Sequence, residues 1–180
     1  MPPRPRAAER RAAPRLALSI QLGDGVGELP ASRPQLRRWV SACLARDAEL
    51  TLRFVGAREG RALNRDYRGK DYATNVLTFT YGADGNDEAD TAGGDGVVRA
   101  DLVICLPVLA REARAQRKPL ADHLAHLVVH GTLHAQGWDH ETGEADAQAM
   151  EAHERALLAR FRIPDPYQAQ RPAPRKGGSS

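Results

Sequence analysis

Cysteine is scarce in this chain of 180 residues: Cys43 and Cys105 stand far apart, with no CxxC pair. A disulfide scaffold or a thiolate zinc cage is thereby excluded, and a reducing compartment is the natural home. Long apolar runs are missing too. None approaches the roughly 20 residues needed to cross a bilayer, so no membrane span is expected. The first fifteen residues, MPPRPRAAERRAAPR, lack an apolar h-region and contain neither Ser nor Thr. They read as a basic disordered tail and not as a secretory or transit signal.

Strong net charge is likewise absent, at +3 over the whole chain. Arginines crowd the first sixteen residues, and Arg171, Arg175 and Lys176 lie in the last ten, so the body between is net acidic. Much of that acid falls in one Gly-rich stretch, with Asp84, Asp87, Glu88, Asp90 and Asp95. Bulk charge alone therefore says little about a polyanionic partner. The length suits one ordinary domain with tails. The reading is a tail over 1–15, a domain over 16–168 with an acidic loop at 82–96, and a second tail over 169–180.

Patterning fills the domain. Leu16, Leu18, Ile20 and Leu22 alternate as in a half-buried strand. Ser32 and Gln35 form a capping-box pair before the helical stripe Leu36, Trp39, Val40, Cys43 and Leu44. Strands are expected over 49–55, 76–80 and about 97–105, the last with the apolar run LVIC of a covered central strand. Helices are expected near 59–66, over 107–116, from Leu120 to about Gln136, and over about 144–161 with Met150, Leu157, Leu158 and Phe161 buried. The predicted fold is α+β: a single domain with a roughly four-stranded mixed sheet and about five helices.

Five of the six histidines fall between positions 123 and 140. His130 and His134 are four apart, hence on one helical face and about 6 Å apart along the axis. Two imidazoles so placed can converge on one Zn²⁺ at about 2 Å each. His126 shares that face but lies about 12 Å of rise from His134, too far to share a metal with it. Gly137 can end the helix in the left-handed conformation and fold the chain back. His140 then closes the site and leaves a position open, the catalytic pattern. Without those last two residues, a pair of partly buried structural histidines is the blander reading. Asp139 either orients a ligand imidazole or caps the turn. His123 reads as a solvated helix residue and His153 as surface; His126 is open between substrate positioning and support of a ligand.

The spacing is that of the metzincin proteases with one difference, Gly131 where the general-base Glu belongs. Gly131 fits close packing of the helix against a neighbour instead. The string HGTLHAQGWDH, from His130 to His140, resembles the signature of the YbeY family of metal-dependent endoribonucleases. LNRDYRGKDYATNVLTF from Leu63 to Phe79, DLVIC from Asp101 and HLAHLVVHG from His123 extend the resemblance over roughly Leu50 to Tyr167. Trp138 stands where the family usually has Tyr, Ala135 and Gln136 replace a more apolar pair, and Ala100 precedes Asp101 where Gly is usual.

The resemblance implies one Zn²⁺ held by His130, His134 and His140, with Arg68 acting on the RNA phosphate. It implies a cytoplasmic endoribonuclease that cuts single-stranded rRNA in ribosomal RNA maturation and ribosome quality control, with ribosomal subunits or ribosomal proteins as partners. Lys70 and Asn75 either line the substrate groove or build the loop before the third strand. Tyr67, Tyr72 and Trp138 offer rings on which bases could stack; no separate RRM or KH signature is present. Two other readings stand beside this one. One is a non-catalytic ribosome-assembly factor with structural zinc; the other is a zinc metallopeptidase-like hydrolase, weakened by the missing carboxylate at 131.

Overall fold

A computed structural model describes residues 12–81, 96–138 and 143–168. The acidic stretch and both tails fall almost entirely outside the described residues, as do Asp139 and His140. In chain order the elements are β1 (Leu16–Leu22), α1 (Arg33–Ala42), β2 (Ala48–Val55), α2 (Ala57–Arg68), β3 (Val76–Thr80), β4 (Val98–Cys105), α3 (Leu106–Ala115), α4 (Leu120–Ala135) and α5 (Glu144–Arg160). No described helix is long and apolar enough to cross a membrane.

The four strands form one mixed sheet in the order β1-β2-β4-β3. β1, β2 and β4 run parallel, and β3 pairs antiparallel to β4 at one edge. Strand period two sorts the side chains. Leu50, Leu52 and Phe54 of β2 join Ala100, Leu102 and Ile104 of β4 in the main core, with residues from α1, α4 and α5. Val55, Val103, Cys105 and Leu77 face the other way, in a smaller core with Val108 and, from α2, the partly buried Leu63. LVIC is thus covered on both faces, as a central strand requires.

Local chemistry accounts for the helix starts. The Ser32 hydroxyl accepts from the Gln35 N–H while the Gln35 side chain returns to the Ser32 N–H, satisfying orphan donors of α1. α2 begins two residues earlier than the expected 59, from Gly56 in an extended conformation, and it ends at Gly69 with φ 69°. One strand residue departs from expectation: Leu22, at the end of the edge strand β1, is 45% exposed, because it pairs on one side only.

Candidate metal centre

α4 is buried over most of its circumference, with Leu124, Ala125, Leu127, Val128, Val129, Leu133 and Ala135 in the core. Its remaining flank carries His123, His126, His130 and His134 at steps of three, four and four. The helix sits close to the sheet because position 131 is glycine. A Cβ there would lie 2.7 Å from Leu102 Cδ2 and 3.5 Å from Thr78 Oγ1. Beyond His134 the chain turns: the Gly137 N–H donates to the His134 carbonyl at 3.0 Å, the Trp138 N–H to the Leu133 carbonyl at 3.0 Å. Gly137 has φ 98°, the left-handed bend anticipated from its position.

His130 and His134 converge. Their Nε2 atoms are 3.1 Å apart, with rings edge-on at 78° and centroids 4.6 Å apart. Two nitrogens each about 2 Å from one tetrahedral zinc lie roughly 3.3 Å apart, so the pair fits a shared cation. The other nitrogen fixes the tautomer. His130 Nδ1 lies in a very short hydrogen bond with Glu154 Oε1. With Nδ1 donating, the neutral ring keeps the Nε2 lone pair aimed at His134.

Glu154, on α5, was not anticipated from the sequence. It is wholly buried, and the Tyr167 hydroxyl donates to its Oε2 in a second very short contact. His126 Nε2 lies 3.4 Å from the same oxygen and 3.3 Å from the Tyr167 hydroxyl. Burial works against the charge of Glu154, but the hydrogen bonds from His126, His130 and Tyr167 outweigh it and bring the carboxyl down to about 2. Burial and the same carboxylate push the Tyr167 phenol up. One atom from each of His126, His130 and Glu154 lies within 4.8 Å of the others, so this group could hold a metal ion. The closeness of His130 to Glu154 favours a different use, a hydrogen-bonded carboxylate that orients a ligand ring.

The stripe Met150, Glu154, Leu157, Leu158 was the available signal for Glu154. A carboxylate at helical spacing among apolar residues is buried, and a buried charge needs a partner. His123 is a second correction. Expected as solvated, it is 3% exposed because Glu112 of α3 reaches its Nε2 at 2.8 Å. Burial draws its pKa down. His153 is half-buried, its ring stacked on Trp138 at 4.8 Å and 21°.

The other candidates are spread more widely. Arg68 ends α2, on the opposite face of the sheet from α4 and beside the edge strand, where Tyr67 packs edge-on against Phe79 at 5.0 Å. Arg68 and Lys70 are exposed, and no hydrogen bond or ion pair joins either to the described imidazoles. Asn75 is half-buried. Its Nδ2 donates to the Glu112 carboxylate at 3.2 Å and its Oδ1 accepts from the Val76 N–H at 2.7 Å, so it ties the start of β3 to α3 and, through Glu112, to His123.

This combination defines a class: single-domain α+β proteins built around a histidine centre able to take a metal ion. A solution structure from Thermotoga maritima shares the fold, with a TM-score of 0.53 and 22% identity, covering 88% of this chain and 99% of that one. The family described as endoribonuclease YbeY matches residues 31–162. A relative named endoribonuclease YbeY from Herminiimonas arsenicoxydans is 54% identical, over 85% of this chain and 96% of its own length. Another of that name, from Bordetella pertussis, is 56% identical over 86% of this chain and 97% of its own. The chain belongs to the YbeY family of endoribonucleases.

Proposed function

We propose that the chain is a zinc-dependent endoribonuclease that cuts single-stranded ribosomal RNA in the cytoplasm, in rRNA maturation and ribosome quality control, with ribosomal subunits or ribosomal proteins as partners. The observation that carries the metal reading is the 3.1 Å approach of the His130 and His134 Nε2 atoms, backed by a buried carboxylate on the far nitrogen of His130. His140 is the third ligand by its spacing past Gly137, with Asp139 beside it as an orienting carboxylate. Imidazole ligands suit zinc better than magnesium or calcium. When bound, the ion supplies Lewis acidity and lowers the pKa of a water towards ~7.

The chain's own residues do the rest. Glu154 holds the His130 ring in one tautomer, so its donor atom is aligned before substrate arrives. Gly131 keeps that part of α4 against Leu102, which fixes the height of both rings above the sheet. Arg68 presents a planar fork that matches a phosphate and never deprotonates, and Lys70 adds a point charge beside it. Asn75 acts mainly by holding the loop that carries them.

Cleavage of an unstructured RNA oligonucleotide, with and without chelator, tests this reading. Activity is expected to vanish on chelation, to return with zinc, and to be lost in a folded His134→Ala variant. Arg68→Ala should lower turnover by about 10²–10³, the scale for removing one preorganised donor. Full activity under chelation, or in His130→Ala, overturns the metal mechanism. An unfolded His134→Ala favours structural zinc instead. A peptide-cleavage screen is expected to be blank.

A further inference from the structure

The outer flank of α2 carries charge that the metal centre does not use. Arg58, Arg61, Arg65 and Arg68 recur at steps of three, four and three, and all four are exposed. At 100° per residue they fall within an arc of about 80° and extend about 15 Å along the helix. The acids of α2, Glu59 and Asp66, project from its other flank. Glu59 is drawn towards the sheet by Arg53 at 2.7 Å, and Asp66 is engaged by Arg65 at 3.2 Å.

Asp71, just past the helix, accepts both arms of the Arg61 fork at 2.8 and 2.7 Å. Arg58 and Arg68 have no carboxylate partner among the described residues. Exposed pairs such as Arg61–Asp71 are weak in water, so those forks can be shared with another anion at little cost. The ridge is also held rigid. Gly60 lies tight against Cys105, where a Cβ would meet Sγ at 3.0 Å. Asn64 Nδ2 donates to the Tyr72 carbonyl at 2.6 Å, which fastens the loop carrying Lys70 to the helix. One exposed ring adjoins the ridge: Tyr72, at 55% exposure, follows Asp71 in that loop, whereas Tyr67 leaves the helix on its sheet side, against Phe79.

We propose that this flank of α2 is a docking track for the backbone of single-stranded RNA, in which Arg58, Arg61 and Arg65, outside the cleavage machinery, lead the strand along the helix to Arg68. The chemistry is that of proteins that hold single strands without reading sequence. Cations at repeated spacing neutralise successive phosphates, and an aromatic ring beside them accepts an unpaired base. A duplex would offer no base to Tyr72, so the surface favours an unpaired strand. The proposal rests on the endoribonuclease reading and adds to it where the strand lies outside the site.

Salt dependence tests it, because counterion release counts phosphate contacts directly. Binding of a labelled unstructured RNA to the full chain is measured by anisotropy across a salt series, beside the triple variant Arg58→Gln, Arg61→Gln, Arg65→Gln. Losing three phosphate contacts should reduce the slope of log K against log salt by about 2, at roughly 0.7 per contact on a single strand. Affinity at low salt should fall more than tenfold, and the matching Lys triple should restore the slope. Thermal melting confirms that the exposed substitutions leave the fold intact. An unchanged slope overturns the track and leaves the ridge to an acidic protein surface. A wild type that cuts RNA but shows no such contacts sinks this proposal alone; a wild type that neither binds nor cuts RNA sinks the functional reading with it.

Discussion

A carboxylate without solvent is held ionised only where its neighbours donate enough hydrogen bonds to replace water. Glu154 meets that condition through His130, Tyr167 and His126, and its pKa of about 2 leaves it charged throughout the neutral range. Its negative charge is what holds the proton of the His130 ring on Nδ1 and leaves Nε2 as the donor atom. Glu154→Gln keeps the volume and removes the charge, so zinc affinity should fall by roughly 10–100-fold, the usual effect of losing such a partner. Competition with a chromophoric chelator measures this, and an unchanged affinity contradicts the assigned role. His130, His134 and Gly137 could be read from the sequence because helical spacing alone brings them together. Glu154 and Tyr167 could not be paired with them that way. They lie 24 and 37 residues beyond His130, on segments whose approach is decided by packing; Tyr167 also falls past the end of the family match.

At the scale of the element, α4 carries the site because it can lie close to β3 and β4. Gly131 permits this. Gly131→Ala gains up to about 1 kcal/mol in helix propensity, but the added methyl meets Leu102, which is fully buried and cannot yield freely. Overpacking of this kind costs about 1–3 kcal/mol, so the variant should be less stable in denaturant titration. A more stable variant would contradict the close packing.

The elements themselves were largely readable. The capping box at Ser32, the breaker at Gly137 and the alternation through β1 are local signals, and each element forms where its signal lies. α2 was under-read at its start because Gly56 and Ala57 give no capping signal. His123 was misread because the Glu112 that buries it comes from α3.

For the whole molecule, local signals stop short. Nothing in the spacing of β1 to β4 fixes the order β1-β2-β4-β3, which follows from the long connections and from burying LVIC on both faces. The main core is built from apolar side chains, and the Nε2 atoms of His130 and His134 face each other outside it. On the proposed reading the fold stands without a metal, and zinc would add stability only by binding the folded state. Chelation should lower the melting temperature while leaving a single cooperative transition, as followed by calorimetry. Loss of the transition would mark the ion as structural.

The convergence of His130 and His134 on one cation is the claim beneath all of this. X-ray absorption at the zinc edge of the loaded protein examines it directly, wild type beside His134→Ala. The expected result is a shell of imidazole nitrogens at about 2.0–2.1 Å that loses one scatterer in the variant. A shell unaffected by the substitution, or one dominated by sulfur at about 2.3 Å, would contradict it.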